Sequence, residues 1–172
     1  MMTQFGNRVL LAASLGLFAL APSASAQFDA GIKVGSEAPV LTINDLAGVP
    51  VDLGAWIGKK PVLLEFWATW CSLCRALMPQ LEAVKKAYGG QIELVGINVT
   101  VNDPKNRVKK YVEEHRPPFR TLFDEKGLGA RAYDVPATSF IVIVDRSGKV
   151  AYTGSGDQQD LVGAVKKVIG GS

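Results

Sequence analysis

The chain has 172 residues, 48% of them hydrophobic and 20% charged, which suits one domain with a substantial core and leaves no repeat or low-complexity tract. Its formal net charge is +3, spread over pairs such as Lys59-Lys60, Lys85-Lys86, Lys109-Lys110 and Lys166-Lys167. These are solvated surface, not a nucleic-acid stripe, and two cysteines with one histidine are too few for a zinc site, which takes about four ligands.

The N-terminus sets the compartment. Met1 to Arg8 carries one positive side chain, and Val9 to Ala21 is almost wholly apolar. Pro22-Ser23 breaks the run, and Ala24-Ser25-Ala26 offers small residues for cleavage. This is the plan of a secretory signal peptide at 1–26. The alternative is an uncleaved anchor, but a span needs about 20 apolar residues. No cysteine sits near the cleavage position, so a bacterial lipoprotein is excluded. Cleavage after Ala26 leaves a domain at 27–172 with its charge reduced by the loss of Arg8. Export to the periplasm is expected.

Val40–Ile43 and Val49–Leu53 are predicted as short strands around the Leu46-Ala47-Gly48 turn. Pro61–Phe66 is a continuous apolar run holding one acid, Glu65, as in a central strand buried on both faces. The next helix shows Cys74, Leu77, Met78, Leu81, Val84 and Tyr88 at helical spacing. Pro79 should kink it, and Gly89-Gly90 ends it. Ile92–Val99 is a second central strand. A helix starts at Asp103-Pro104 and runs to about His115, before Pro117-Pro118. Phe119–Phe123 is predicted as an edge strand and Leu128–Tyr133 as a short helix. Ser139–Val144 and Lys149–Thr153 form a hairpin around Asp145-Arg146-Ser147-Gly148. Asp157–Ile169 is a terminal helix. The order β-α-β-α, hairpin, α predicts an α/β fold with a mixed sheet flanked by helices.

The chemistry lies in Cys71-Ser72-Leu73-Cys74, between the buried strand and the helix. A thiol in the first turn of a helix faces unpaired backbone N–H groups and the positive end of the helix dipole. Both favour the thiolate, the nucleophile of disulfide exchange. A second thiol three residues on shares that face and can resolve a mixed disulfide. A purely structural disulfide gains little here, because stabilisation of roughly 3 kcal/mol requires a loop of about 15 residues. The pair therefore predicts a dithiol–disulfide couple, and no other cofactor.

Glu65 lies six residues before Cys71. Burial disfavours a charged carboxyl and raises its pKa toward neutrality. Such a group can shuttle the proton of Cys74. The alternative is a strand residue reaching solvent at a sheet edge.

The run Phe66-Trp67-Ala68-Thr69-Trp70-Cys71-Ser72-Leu73-Cys74-Arg75, with Pro79 and Val135-Pro136-Ala137-Thr138, resembles the thioredoxin superfamily. The likeness is to its exported TlpA/ResA/CcmG-like thiol–disulfide oxidoreductases, in which an acid often stands at the position of Glu65. Val34-Gly35-Ser36-Glu37-Ala38-Pro39 is similar to the branch's lead-in, Asp103 to Tyr133 to its central insertion, and Tyr152-Thr153-Gly154 to its approach to the last helix. The resemblance implies a thioredoxin-like fold with an N-terminal hairpin extension. It implies that Cys71 attacks, that Cys74 resolves, and that Pro136 is a cis-proline facing the disulfide. Val135 would offer backbone groups to a substrate strand. Trp70 would shield the thiols and touch substrate. Arg75 is either an aid to the thiolate or a solvated surface residue, and His115 is a helix-terminal residue without a catalytic part.

The same resemblance implies protein disulfide substrates, among them apocytochrome c or a copper-site assembly protein. It implies a membrane electron donor, since a reductant in an oxidising compartment must be re-reduced, and a monomer. Two residues depart from the branch: Leu73 stands where many relatives have proline, and Leu77 where many exported ones have glutamate. Two other functions compete. A thiol peroxidase would place threonine three residues before the nucleophile, whereas Thr69 is two before. A copper-binding assembly factor would want a wider cysteine spacing and a nearer histidine than His115.

Overall fold

The computed structural model describes residues 1–2 and 31–171. The predicted signal peptide, beyond Met1 and Met2, lies outside the described residues. No helix among those described is long and apolar enough to cross a membrane.

Five strands form the central sheet: β3 (Val62–Trp67), β4 (Glu93–Asn98), β5 (Arg120–Phe123), β6 (Phe140–Val144) and β7 (Val150–Ser155). Their spatial order is β5-β4-β3-β6-β7. β3 runs parallel to β4, and β4 parallel to β5. β6 is antiparallel to β3 and to β7. A separate hairpin, β1 (Thr42–Asn44) with β2 (Pro50–Asp52), stands before the sheet and touches it through an Asp45–Leu122 bridge. The helices are α1 (Ser72–Tyr88), α2 (Lys105–His115), α3 (Leu128–Ala132) and α4 (Leu161–Gly170). The fold predicted from the sequence, a thioredoxin-like mixed sheet with an N-terminal hairpin, is the fold observed.

β3 occupies the middle of the sheet, and all six of its residues are buried. Alternation divides them between two layers. Leu63 and Trp67 pack with Leu77, Leu81 and Val84 of α1 and with Leu161 and Val165 of α4. Val62, Leu64 and Phe66 pack on the other side with Ile43, Leu53 and Tyr133. The disulfide therefore sits beyond the end of a fully buried central strand.

Pro79 does not end α1, which runs through it as one helix. The proline has no N–H for the Arg75 carbonyl, one turn earlier, so a single backbone bond is lost, while Leu77, Leu81 and Val84 hold that face of the helix in the core. The last helix begins later than predicted, at Leu161. Asp160 caps it by accepting from the Gly163 N–H at 2.8 Å, while Gln159 is taken up by Tyr152 and the Gly156 carbonyl.

Gly96 lies opposite Glu65 in the β3–β4 register. A β-carbon there would overlap the ring of Phe119. Gly96→Ala is expected to destabilise the fold by about 1–3 kcal/mol, the usual cost of overpacking, read from the urea midpoint. An unchanged midpoint would show that Phe119 moves aside freely.

Candidate active site

The site is built where β3 turns into α1. Ala68, Thr69 and Trp70 bridge the two elements, and the Cys71 N–H closes the turn on the Ala68 carbonyl at 3.1 Å. Cys71 has extended backbone angles and occupies the N-cap of α1. Its sulfur accepts from the Cys74 N–H at 3.0 Å, so the helix terminus points a donor at the sulfur. Cys71 and Cys74 are joined in a disulfide, with 5.3 Å between their α-carbons. Both are largely buried, whereas the neighbouring Trp70 and Leu73 are each 47% exposed. Leu77 is fully buried in the same core layer as Cys74.

Glu65 is fully buried and not at a sheet edge. By alternation it projects to the same side as Leu63 and Trp67, the layer that also contains both cysteines. Neither carboxyl oxygen has a hydrogen-bond partner, and burial pushes its pKa up to about 8. The Trp67 indole N–H, also buried, is likewise unpartnered. Tyr111 lies between Trp67, tilted against it at 5.4 Å, and His115, stacked on it at 4.1 Å. Burial raises its hydroxyl pKa; the charge of Arg75 opposes the rise and that of Glu65 adds to it. His115 ends α2 with Nδ1 3.0 Å from the Tyr111 carbonyl oxygen.

Trp70, Val135 and Pro136 do come together. With Val99, Val101 and Arg131 they line a cavity of about 350 Å³. The Trp70 indole donates to the Val101 carbonyl at 2.8 Å, which fixes the ring at the cavity wall. The expected cis bond at Pro136 is not present: no peptide bond among the described residues is cis. Trans is the preferred form of an X–Pro bond by about 0.5–1 kcal/mol. The changes of direction on either side are taken instead by Asp134 and Ser139, both left-handed, at φ 47° and 60°. Ser139 then joins β3 through its N–H to the Phe66 carbonyl.

Two contacts lay beyond the sequence reading. Arg75 donates to the Thr69 carbonyl at 3.1 Å, so it braces the turn. Asp103, read as a helix start, is 1% exposed and bonds Thr69. No local pattern marks such a residue, because its partners lie on another element. No group of three or more metal-ligating side chains occurs among the described residues.

The Redoxin family model matches residues 33–169. The chain is 34% identical over 123 residues to the thioredoxin-like protein YneN of Bacillus subtilis, covering 71% of each chain. It is 32% identical over 133 residues to the thiol-disulfide oxidoreductase ResA of Geobacillus thermodenitrificans, covering 76% of this chain and 75% of the relative. Among solved structures, the thioredoxin domain of a thiol-disulfide oxidoreductase from Bacteroides vulgatus superposes with a TM-score of 0.70 at 27% identity, over 80% of this chain and 99% of that one.

Proposed function

The chain belongs to the Redoxin family, in the ResA/CcmG-like part of the thioredoxin superfamily, and is a thiol–disulfide oxidoreductase; from that premise we propose that it is exported to the periplasm and there reduces disulfides in client proteins. The observation that carries this reading is the Cys71–Cys74 disulfide at the N-terminus of α1, beside an apolar groove. Cys71 attacks a client disulfide, forming a mixed disulfide and expelling the client's other sulfur as a thiolate. Cys74 then gives up its proton to Glu65 and attacks Cys71. The client leaves as a dithiol, and the Cys71–Cys74 disulfide re-forms.

The client lies extended along Trp70, Val135 and Pro136, where an exposed apolar wall suits docking of an extended segment; the Val135 N–H is taken by the Ala130 carbonyl at 2.9 Å, so the Val135 carbonyl is the backbone group offered to it. Apocytochrome c haem-binding cysteines or a copper-site assembly protein fit as clients, and a membrane donor returns the two electrons. The protein works as a monomer, after removal of residues 1–26.

The reduction potential tests the direction of flow. Equilibration in graded thiol–disulfide buffers, followed by tryptophan fluorescence and thiol counting, is expected to give a value near thioredoxin's, about −270 mV. A value near about −120 mV, that of a strong periplasmic oxidant, would reverse the reading toward disulfide formation.

A further inference from the structure

The turn ahead of Cys71 is gripped from outside its own element. Asp103 lies in the loop between β4 and α2, and its carboxylate is buried. One oxygen accepts from the Thr69 N–H at 2.7 Å and from the Asn98 side-chain amide at 2.8 Å. The other accepts from the Thr69 hydroxyl at 2.5 Å. Arg107 stands 3.9 Å from that second oxygen. A carboxylate is costly to bury unless its oxygens are well bonded, and here two of the three bonds go to one residue of the active-site turn. The same loop accepts the Trp70 indole at Val101. Thr69 and Trp70, the two residues before Cys71, are thus both tied to the segment that follows β4.

This grip bears on the sulfur through geometry. The Cys74 N–H reaches the Cys71 sulfur at 3.0 Å. A donor of this kind stabilises a thiolate only while the cap is held in place. We propose that Asp103 is a positioning residue of the redox couple, fixing Thr69 so that the Cys71 thiolate keeps its place over the first turn of α1 when the disulfide is reduced. The inference rests on the reading of Cys71 as the attacking thiol. No proton or electron passes through Asp103. The charged groups facing it are Arg107 on α2 and, across Thr69, Arg75 on α1. Both are positive and offset its field, so its influence runs through the backbone.

Three variants separate position from charge. Thr69→Val removes the hydroxyl and leaves the carboxylate charged. Asp103→Asn removes the charge and sets an NH2 group where three donors converge. Thr69→Ser retains the hydroxyl. Reduced protein is alkylated with iodoacetamide over a range of pH, and the reduction potential is measured alongside. Thr69→Val and Asp103→Asn are each expected to move the inflection of Cys71 alkylation upward and to slow alkylation at neutral pH about tenfold, the worth of one fixed hydrogen bond. The double variant is expected to be no slower than Asp103→Asn alone, because both changes break one linkage. Thr69→Ser is expected to match the wild type.

The proposal is overturned if the folded variants keep the wild-type profile. It is also overturned if the inflection moves downward, which would mean that the field of Asp103 dominates. Should Asp103→Asn fail to fold, Thr69→Val alone decides: an inflection moved upward supports the linkage, and an unmoved or lowered one overturns it. A wild-type protein that is alkylated normally but reduces no protein disulfide would instead count against the function assigned to Cys71.

Discussion

Cys71→Ser is expected to bring disulfide reduction down to the uncatalysed background, while Cys74→Ser is expected to stop the reaction halfway. A serine hydroxyl can neither attack a disulfide sulfur nor form a mixed disulfide. Cys71 is the cysteine at the N-cap, adjacent to Trp70 at the groove wall, and it is the one whose sulfur accepts a helix-terminal N–H. Cys74 lies inside the first turn, above Leu77, and is reached from within the protein. Cys74→Ser therefore retains the attacking thiol and loses the group that releases the client. Insulin reduction gives the rate, and mass spectrometry of the quenched reaction gives the adduct. Substantial activity in Cys71→Ser, or an adduct on Cys74 in preference to Cys71, would overturn the assignment of roles.

The parts of this site that the sequence carried openly are those whose signal is local. A continuous apolar run ending at Trp67, then two thiols at the head of an amphipathic helix, specifies strand, turn and helix in order. The sheet's central strands follow from the same runs, and Glu65 stands out because it is the one acid within Pro61–Phe66. Non-local features were hidden. Asp103 reads from sequence as an ordinary helix start, and only the fold brings it against Thr69. Arg75 has two equal readings until the turn supplies a carbonyl for it. At Pro136 the resemblance implied a cis bond, but this chain makes its reversals with left-handed Asp134 and Ser139, residues without the glycine that usually marks such angles. Pro79 was legible as a residue inside the helix, which runs through it to Tyr88 as read, because a core-facing helix absorbs the loss of one hydrogen bond.

Glu65 is expected to make stability and turnover depend on pH in opposite senses. Its pKa is raised from 4.5 to about 8 in the folded chain by burial alone. Below the unfolded value both states hold the proton, and the buried carboxyl costs no ionisation energy. As pH rises through this window the unfolded chain ionises first, so stability falls, by up to about 1.4 kcal/mol per pH unit. By neutral pH the wild type is expected to have lost about 3 kcal/mol from this group. Glu65→Gln cannot ionise and should not show that loss. Urea unfolding of the oxidised proteins across the window checks it through the difference between wild type and variant, which cancels the other carboxyls. Parallel curves would show that Glu65 is solvated after all. Turnover runs the other way. Only the ionised carboxylate can take the proton from Cys74, so resolution of the mixed disulfide should accelerate as pH rises through about 8. Glu65→Gln should slow that step about a hundredfold and erase the inflection. A stopped-flow pH profile with the inflection intact in Glu65→Gln would assign the proton to another group. If both dependences are found, the ionised carboxylate that costs the fold stability is the one the proposed reaction requires, which would account for an unpartnered acid on the central strand.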